Sequence, residues 1–174
     1  LFLTNFEPDH IGGAPTIIAS LEIDKVFLSN YEEDNKEYIK LIQALDDKNL
    51  DYFTPPALNE YSLGSAGFKI ISTNPGSIGL LLQNGENSFL FTGDMSEEAE
   101  SEIISIGISL EADVYHVGNH GSKLSNSDAL FDAVKPVYAV ISCGEDNSEG
   151  FPHIQTLDRL KDRSIEVFRT DEQE

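Results

Sequence analysis

Two hydrophobic periods alternate along the chain and predict alternating strands and helices. Short apolar runs that end at glycine, proline or charged residues are typical of buried strands, whereas apolar residues three and four positions apart are typical of amphipathic helices. The first pattern predicts strands at 1–3, 25–29, 68–72, 78–82, 88–92, 113–117, 137–142 and 165–169. The second predicts helices at 14–21, 35–45, 126–134 and 154–163, with a further helix after Ser96. No linker interrupts this alternation, so residues 1–174 are expected to form a single α/β domain.

Local signals indicate how some of these elements are joined. Asn84-Gly85 between two apolar runs is typical of a β-hairpin. Ser96 followed by two glutamates is typical of a helix N-terminus, because a side-chain oxygen caps the free backbone N–H groups and acids favour the first turn. The stretch 73–77 joins two predicted strands and contains proline and glycine.

Composition limits the functions that the chain can have. Its 174 residues carry 31 acidic and 11 basic side chains, a formal charge of -20, so contact with extended nucleic acid is disfavoured. No apolar run is long enough to span a bilayer. The sequence opens without a basic-then-apolar leader, which favours a cytoplasmic location. The single cysteine, Cys143, excludes an intrachain disulfide and is expected in a core strand.

Candidate metal ligands follow three predicted strands. Asp9 and His10 follow the first strand and precede Gly12-Gly13, a pair of glycines that permits a tight turn. Asp94 follows another strand, and His120 a third. Carboxylate and imidazole together suit zinc, iron or manganese. Each short motif also has a structural interpretation, as a helix-capping aspartate beside a surface histidine or as an ordinary Gly-Asp turn.

Four motifs in order resemble the metallo-β-lactamase superfamily. They are Thr-Asn-Phe-Glu-Pro-Asp-His-Ile-Gly-Gly at 4–13, Phe-Thr-Gly-Asp at 91–94, Val-Gly-Asn-His-Gly-Ser-Lys at 117–123 and Asn-Ser-Glu-Gly-Phe-Pro-His at 147–153. The chain is most similar to the soluble domain of ComEC-type competence proteins, which act in DNA uptake, and to their free-standing relatives. The resemblance implies a four-layered αββα sandwich, with N-terminal strands ahead of the first motif that this chain lacks.

The resemblance also implies a site. It assigns metal ligation to five side chains, Glu7, Asp9, His10, Asp94 and His120, with zinc or manganese bound as one ion or none. Asp9 or Asp94 would help to position water, and His153 would assist the leaving group. Whether Asn119 or His120 faces the site is left open. His116, inside a strand, is interpreted as a core or surface residue.

Departures from the family pattern leave two functions open. Asn5, Asn119 and Phe151 each stand where the family has histidine, and Glu7 stands where this branch usually has aspartate. The first hypothesis is a metal-dependent hydrolase acting on a phosphodiester or nucleotide substrate. The alternative is a degenerate, catalytically weak or inactive domain that binds a ligand or a protein partner.

Overall fold

The amino-terminal part of the chain builds a small sheet covered by helices. The computed structural model describes residues 1–29, 31–74 and 77–172. Strands β1 (Val26–Phe27) and β2 (Tyr52–Phe53) pair in parallel, and Phe2 forms a parallel bridge with Phe27 on the other side of β1. The helices of this part are α1 (Pro8–Ile11), α2 (Ala14–Ser20) and α3 (Lys36–Asp47).

A seven-stranded sheet forms the larger part of the fold. Its strands are neighbours in chain order: β3 (Glu60–Leu63), β4 (Ala66–Asn74), β5 (Ser77–Asn84), β6 (Asn87–Phe91), β7 (Val114–His116), β8 (Tyr138–Ile141) and β9 (Glu166–Arg169). Strands β3 to β6 are antiparallel to their neighbours, whereas β6 to β9 run parallel. The parallel strands are connected through helices α4 (Glu97–Ser105), α5 (Asp128–Val134) and α6 (Ile154–Asp162).

Two apolar cores and an aromatic layer hold the sheets and helices together. Apolar side chains of α2, α3 and β1 form one core, and those of the large sheet with α4, α5 and α6 form the other. Between the sheets, Phe27 of β1 packs against Tyr61 of β3, and Phe2 packs against Phe68 of β4. The order of layers is therefore helix, sheet, sheet, helix, and the αββα expectation is confirmed.

The site-bearing loops meet at one edge of the large sheet. Because β6, β7 and β8 are parallel, the loops that follow them leave from the same edge, where open α/β sheets bind their ligands. The segment after residues 1–3 reaches this edge too, since the backbone N–H of Ile78 in β5 donates to the carbonyl oxygen of Thr4 at 2.9 Å.

Most predicted elements are present, but the short helix α1 was not predicted, and the strand expected at 1–3 is only a bridge at Phe2. Strands β2 and β3 were not predicted, because β2 has only two residues and β3 is largely exposed, which removes the apolar run that marks a strand. Helix α5 begins at Asp128 instead of Asn126, with Ser127 as its N-cap. The predicted hairpin is present, but its turn is Gly85-Glu86 instead of Asn84-Gly85, because Asn84 pairs with Asn87.

Two further sequence predictions concern the junction at 73–77 and membrane-spanning segments. Pro75 and Gly76, in the predicted junction at 73–77, lie outside the described residues. The residues on either side of them, Asn74 and Ser77, pair with each other. No helix in the described ranges has the length and hydropathy needed to cross a membrane.

Candidate metal centre

Three side chains converge at the carboxyl edge of the sheet. One ligand atom from each of Asp9, His10 and His120 lies within 4.8 Å of the others. Nε2 of His120 is 3.0 Å from Oδ2 of Asp9, and Nε2 of His10 is 3.9 Å from the same oxygen. Asp94 joins this group, with Oδ2 at 2.9 Å from Nε2 of His10. Two imidazole nitrogens therefore lie between two carboxylates.

His10 is held in the short helix α1, and the centroid of its ring lies 5.4 Å from that of His120. Its Nδ1 lies 3.3 Å from the hydroxyl of Thr4, and its buried Nε2 faces Oδ2 of Asp94 at 2.9 Å. Burial alone would lower the pKa of His10, but the hydrogen bond to Asp94 and the carboxylates of Asp94, Asp9 and Glu7 outweigh it and raise that pKa. A buried imidazole nitrogen that faces carboxylates favours positive charge, either a proton or a bound cation.

His120 projects from a turn with left-handed backbone at Gly118–Gly121. The φ angles of Asn119 and His120 are 47° and 52°, a conformation that costs L-residues about 1–2 kcal/mol each. Nδ1 of His120 lies 2.8 Å from the carbonyl oxygen of Ser142. A carbonyl oxygen can only accept, so Nδ1 carries a proton, and Nε2 is the nitrogen of His120 that is left to bind a metal ion beside Asp9.

Asp94 is fixed by the turn that follows β6. Gly93 has a φ of 55°, and a side chain there would collide with the hydroxyl of Ser77. That hydroxyl accepts the backbone N–H of Asp94 at 3.0 Å and donates to the carbonyl oxygen of Thr92 at 3.0 Å. Burial alone would raise the pKa of Asp94, but His10, His120 and the amide of Asn5 hold it below its usual value.

Asn5 and Glu7 are arranged differently from the other candidate ligands. The Asn5 amide is buried, its Nδ2 donates to Oδ2 of Asp94 at 2.9 Å, and its Oδ1 accepts the backbone N–H of Glu7 at 3.0 Å. Glu7 is exposed and lines the cleft with Tyr31, outside the group of converging ligand atoms. The structure thus brings Asp9, His10, Asp94 and His120 together, and leaves Glu7 at the margin.

The remaining motif residues surround this group. Asn119 lines the cleft beside His120, and its amide lies 3.4 Å from the hydroxyl of Ser125. Phe151 stacks on the His120 ring with 5.7 Å between centroids. His153 lies beyond Phe151, where its Nδ1 accepts the backbone N–H of Lys123 at 3.1 Å. The proton of neutral His153 is therefore on Nε2.

Some residues near the site were missed or misplaced by the sequence interpretation. Ser142 contacts two histidines, since its carbonyl accepts from His120 and its hydroxyl lies 2.9 Å from Nε2 of His116. Burial, together with the nearby His120 and His10 rings, lowers the pKa of His116. Cys143 is half-buried in the cleft wall instead of in a core strand, because β8 ends at Ile141. The contact of Ser142 with His120 is long-range, and no local pattern marks it.

The converging donor set of Asp9, His10 and His120 fits one divalent cation. Imidazole nitrogens with a carboxylate oxygen suit zinc, manganese or iron. Both rings are also oriented by a contact at their other nitrogen, as the ligating histidines of metal sites are. On the side of Asn5, the amide nitrogen is a hydrogen-bond donor and cannot ligate a metal. Glu7, which is outside the converging group, is then the acidic ligand left for a second ion on that side.

Comparison with known proteins places this geometry in a family. Residues 1–145 match the Metallo-beta-lactamase superfamily. The chain is 31% identical over 185 residues to ComE operon protein 3 of Bacillus subtilis, covering 99% of this chain and 23% of that protein. It is 34% identical over 104 residues to competence protein ComA of Neisseria gonorrhoeae, covering 59% of this chain and 15% of that protein. The predicted similarity to competence proteins is confirmed, although the chain spans only a minor part of their length.

A solved structure shares the architecture. The metallo-beta-lactamase fold protein YhfI from Bacillus subtilis superposes with a TM-score of 0.58 at 13% identity, covering 97% of this chain and 73% of that one. At such low identity the likeness shows the fold alone.

Proposed function

The chain belongs to the metallo-β-lactamase superfamily, and we propose that it is a metal-dependent hydrolase that cleaves a phosphodiester. The observation that carries this proposal is the convergence of Asp9, His10 and His120 within 4.8 Å at the carboxyl edge of the sheet. Zinc or manganese suits these ligands. Asp94, 2.9 Å from His10, is the fourth member of the group.

Each side chain has a task in this reaction. When bound, the ion would act as a Lewis acid and lower the pKa of a water molecule. Thr4 and the Ser142 carbonyl keep the His10 and His120 rings oriented through their Nδ1 atoms. Asp9, whose side chain is 60% exposed against 20% for Asp94, is the more accessible of these two carboxylates and orients the attacking water. His153, whose Nδ1 accepts the backbone N–H of Lys123, keeps Nε2–H as a hydrogen-bond donor that would stabilise the oxygen of the leaving group, and solvent water would supply the proton.

The cleft favours a short substrate over extended nucleic acid. The cleft extends to both sides of Asp9 and His120, and four acids line it: Glu7, Asp9, Asp94 and Glu149. Among the described side chains, no lysine or arginine lines it. A long phosphate backbone would therefore meet repulsion beyond the reacting group. A nucleotide or other small phosphodiester carries few charges, and the ion would balance those at the scissile bond. The similarity to a competence protein supports a nucleic-acid-derived substrate.

A second function is favoured by one specific contact. The amide of Asn5 donates to Asp94, so hydrogen bonds occupy the side of the site where a two-ion hydrolase needs its second cation. On this hypothesis the domain binds a ligand or a protein partner without turnover.

Turnover of a generic phosphodiester separates these functions. The test is hydrolysis of bis(p-nitrophenyl) phosphate with manganese, with zinc and with a chelator. We expect metal-dependent cleavage, and Asp9→Asn should reduce kcat by at least ~100-fold because the water loses its orienting carboxylate. Asp51→Asn, which removes the same charge from an exposed residue outside the cleft, should leave the rate within about twofold. A wild-type protein that binds metal without turnover would support the binding function instead.

A further inference from the structure

The orientation of the Asn5 amide is fixed by its surroundings. Asn5 is 1% exposed, and its Oδ1 accepts the backbone N–H of Glu7 at 3.0 Å. A backbone N–H can only donate, so the oxygen of the amide must face Glu7 and the nitrogen must face Asp94. The contact of 2.9 Å between Nδ2 and Oδ2 of Asp94 is then a hydrogen bond to a carboxylate, one of the stronger kinds.

This contact completes a set of interactions around Asp94. Oδ2 accepts from Asn5 and lies 2.9 Å from Nε2 of His10, while the backbone N–H of Asp94 donates to Ser77. The amide presents the positive end of its dipole to the carboxylate, as a cation in that position would. It has no lone pair on nitrogen with which to bind a metal ion.

We propose that Asn5 is a positioning residue that takes the place of a second cation beside Asp94, so that the chain holds one divalent ion, on Asp9, His10 and His120. The inference rests on the proposed metal-dependent function and adds to it the number of ions and the reason for that number. It also assigns Asn5 a task in the present site, as the donor that aims the Asp94 carboxylate at His10.

Replacing the Asn5 amide with a carboxylate turns the attraction to Asp94 into a repulsion, while the side chain keeps nearly the same size. In Asn5→Asp, two carboxylates face each other, and their repulsion should lower the melting temperature of the metal-free protein by about 5–10 °C. A cation between the two groups would remove the repulsion. Manganese should therefore raise the melting temperature of Asn5→Asp more than that of the wild type, and titration calorimetry should show two ions in place of one.

Two further variants complete the design. Asn5→Ala removes the donor without adding an acceptor, and it should still bind one ion, with affinity reduced by about tenfold because Asp94 is no longer oriented. Asn87→Asp adds the same charge as Asn5→Asp at an exposed position and should bind one ion with wild-type affinity. A residue with only a structural role would change the melting temperature without changing the number of ions.

The outcomes distinguish this inference from the proposed function. Two ions in the wild type, or unchanged affinity in Asn5→Ala, would overturn the inference and leave metal-dependent hydrolysis intact. A wild type that binds no manganese or zinc would refute the proposed function and the inference together. If Asn5→Asp does not fold, the affinity and ion count of Asn5→Ala still decide the result.

Discussion

The left-handed turn that carries His120 should depend on a single buried amide, that of Asn126. This side chain is fully buried and makes four hydrogen bonds. Its Oδ1 accepts the Tyr115 hydroxyl at 2.8 Å and the backbone N–H of Gly118 at 3.0 Å. Its Nδ2 donates to the carbonyl oxygens of Gly118 at 2.9 Å and Ser122 at 3.2 Å. Both ends of the turn are thereby bound to one residue, and Asn126→Ala is the perturbation that tests this dependence.

The expected loss of stability follows from these contacts. Each hydrogen bond contributes about 1 kcal/mol net, so four would give ~4 kcal/mol. Three partners keep a second contact: the Gly118 N–H also donates to the Tyr115 hydroxyl at 3.1 Å, that hydroxyl lies 3.1 Å from Oγ1 of Thr92, and the Ser122 carbonyl also accepts from Thr156 at 3.1 Å. We therefore expect Asn126→Ala to lower the free energy of unfolding by ~3 kcal/mol. The positive φ of Asn126, 62°, adds to this cost because alanine tolerates it less well than asparagine.

Urea unfolding measures this loss, and two further variants isolate its cause. Asn126→Gly relieves the backbone strain but still loses the hydrogen bonds, so it should remain at least ~2 kcal/mol less stable than the wild type. Asn87→Ala, an exposed asparagine, should change stability by less than about 0.5 kcal/mol. A loss below ~1 kcal/mol in Asn126→Ala, or wild-type stability in Asn126→Gly, would refute the reasoning.

Three further predictions concern the site and its support. Asp94→Ala should lose metal binding while keeping its fold, and unchanged metal content by mass spectrometry would show that Asp94 only supports the turn. Burial raises the pKa of Glu100 above its ordinary 4.5, despite hydrogen bonds from neighbouring backbone N–H groups. The folded state therefore keeps the proton of Glu100 to a higher pH than the unfolded state does. The stability of the wild type should consequently fall relative to that of Glu100→Gln as pH rises through 4.5 and above. Equal pH slopes in urea titrations of both proteins would contradict this. If the site is weakened by lost ligands, the triple variant Asn5→His, Asn119→His, Phe151→His should gain manganese- or zinc-dependent hydrolysis, and an unchanged rate would contradict that explanation.

Local pattern predicted the places of the candidate ligands, because each belongs to a short motif after a strand. Asp9 and Asp94 follow apolar runs, and parallel strands bring such ends to one edge of a sheet. The same pattern failed for β3, whose exposed residues resemble a loop. The pattern also placed Asn126 in a helix, which is wrong. The conformation of Asn126 is set by buried hydrogen bonds to Gly118 and Ser122, and hydrophobic periodicity does not reveal such bonds.

The task of each side chain could not be predicted from sequence. The substitution at Asn5 suggested a lost ligand, whereas the structure shows a buried amide that donates to Asp94, 89 positions along the chain. His153 matched its motif, yet its ring lies beyond Phe151 and accepts from the Lys123 backbone. These roles depend on side-chain orientation across distant segments, and residue type alone does not determine it.

The most direct test of the account is to locate the ion in a crystal of this protein soaked with manganese or zinc. Anomalous diffraction at the metal edge identifies the position without assuming its ligands. We expect one peak per chain, bounded by Oδ2 of Asp9 and the Nε2 atoms of His10 and His120. A second peak beside Asn5, a peak elsewhere, or no peak at saturating metal would contradict the account.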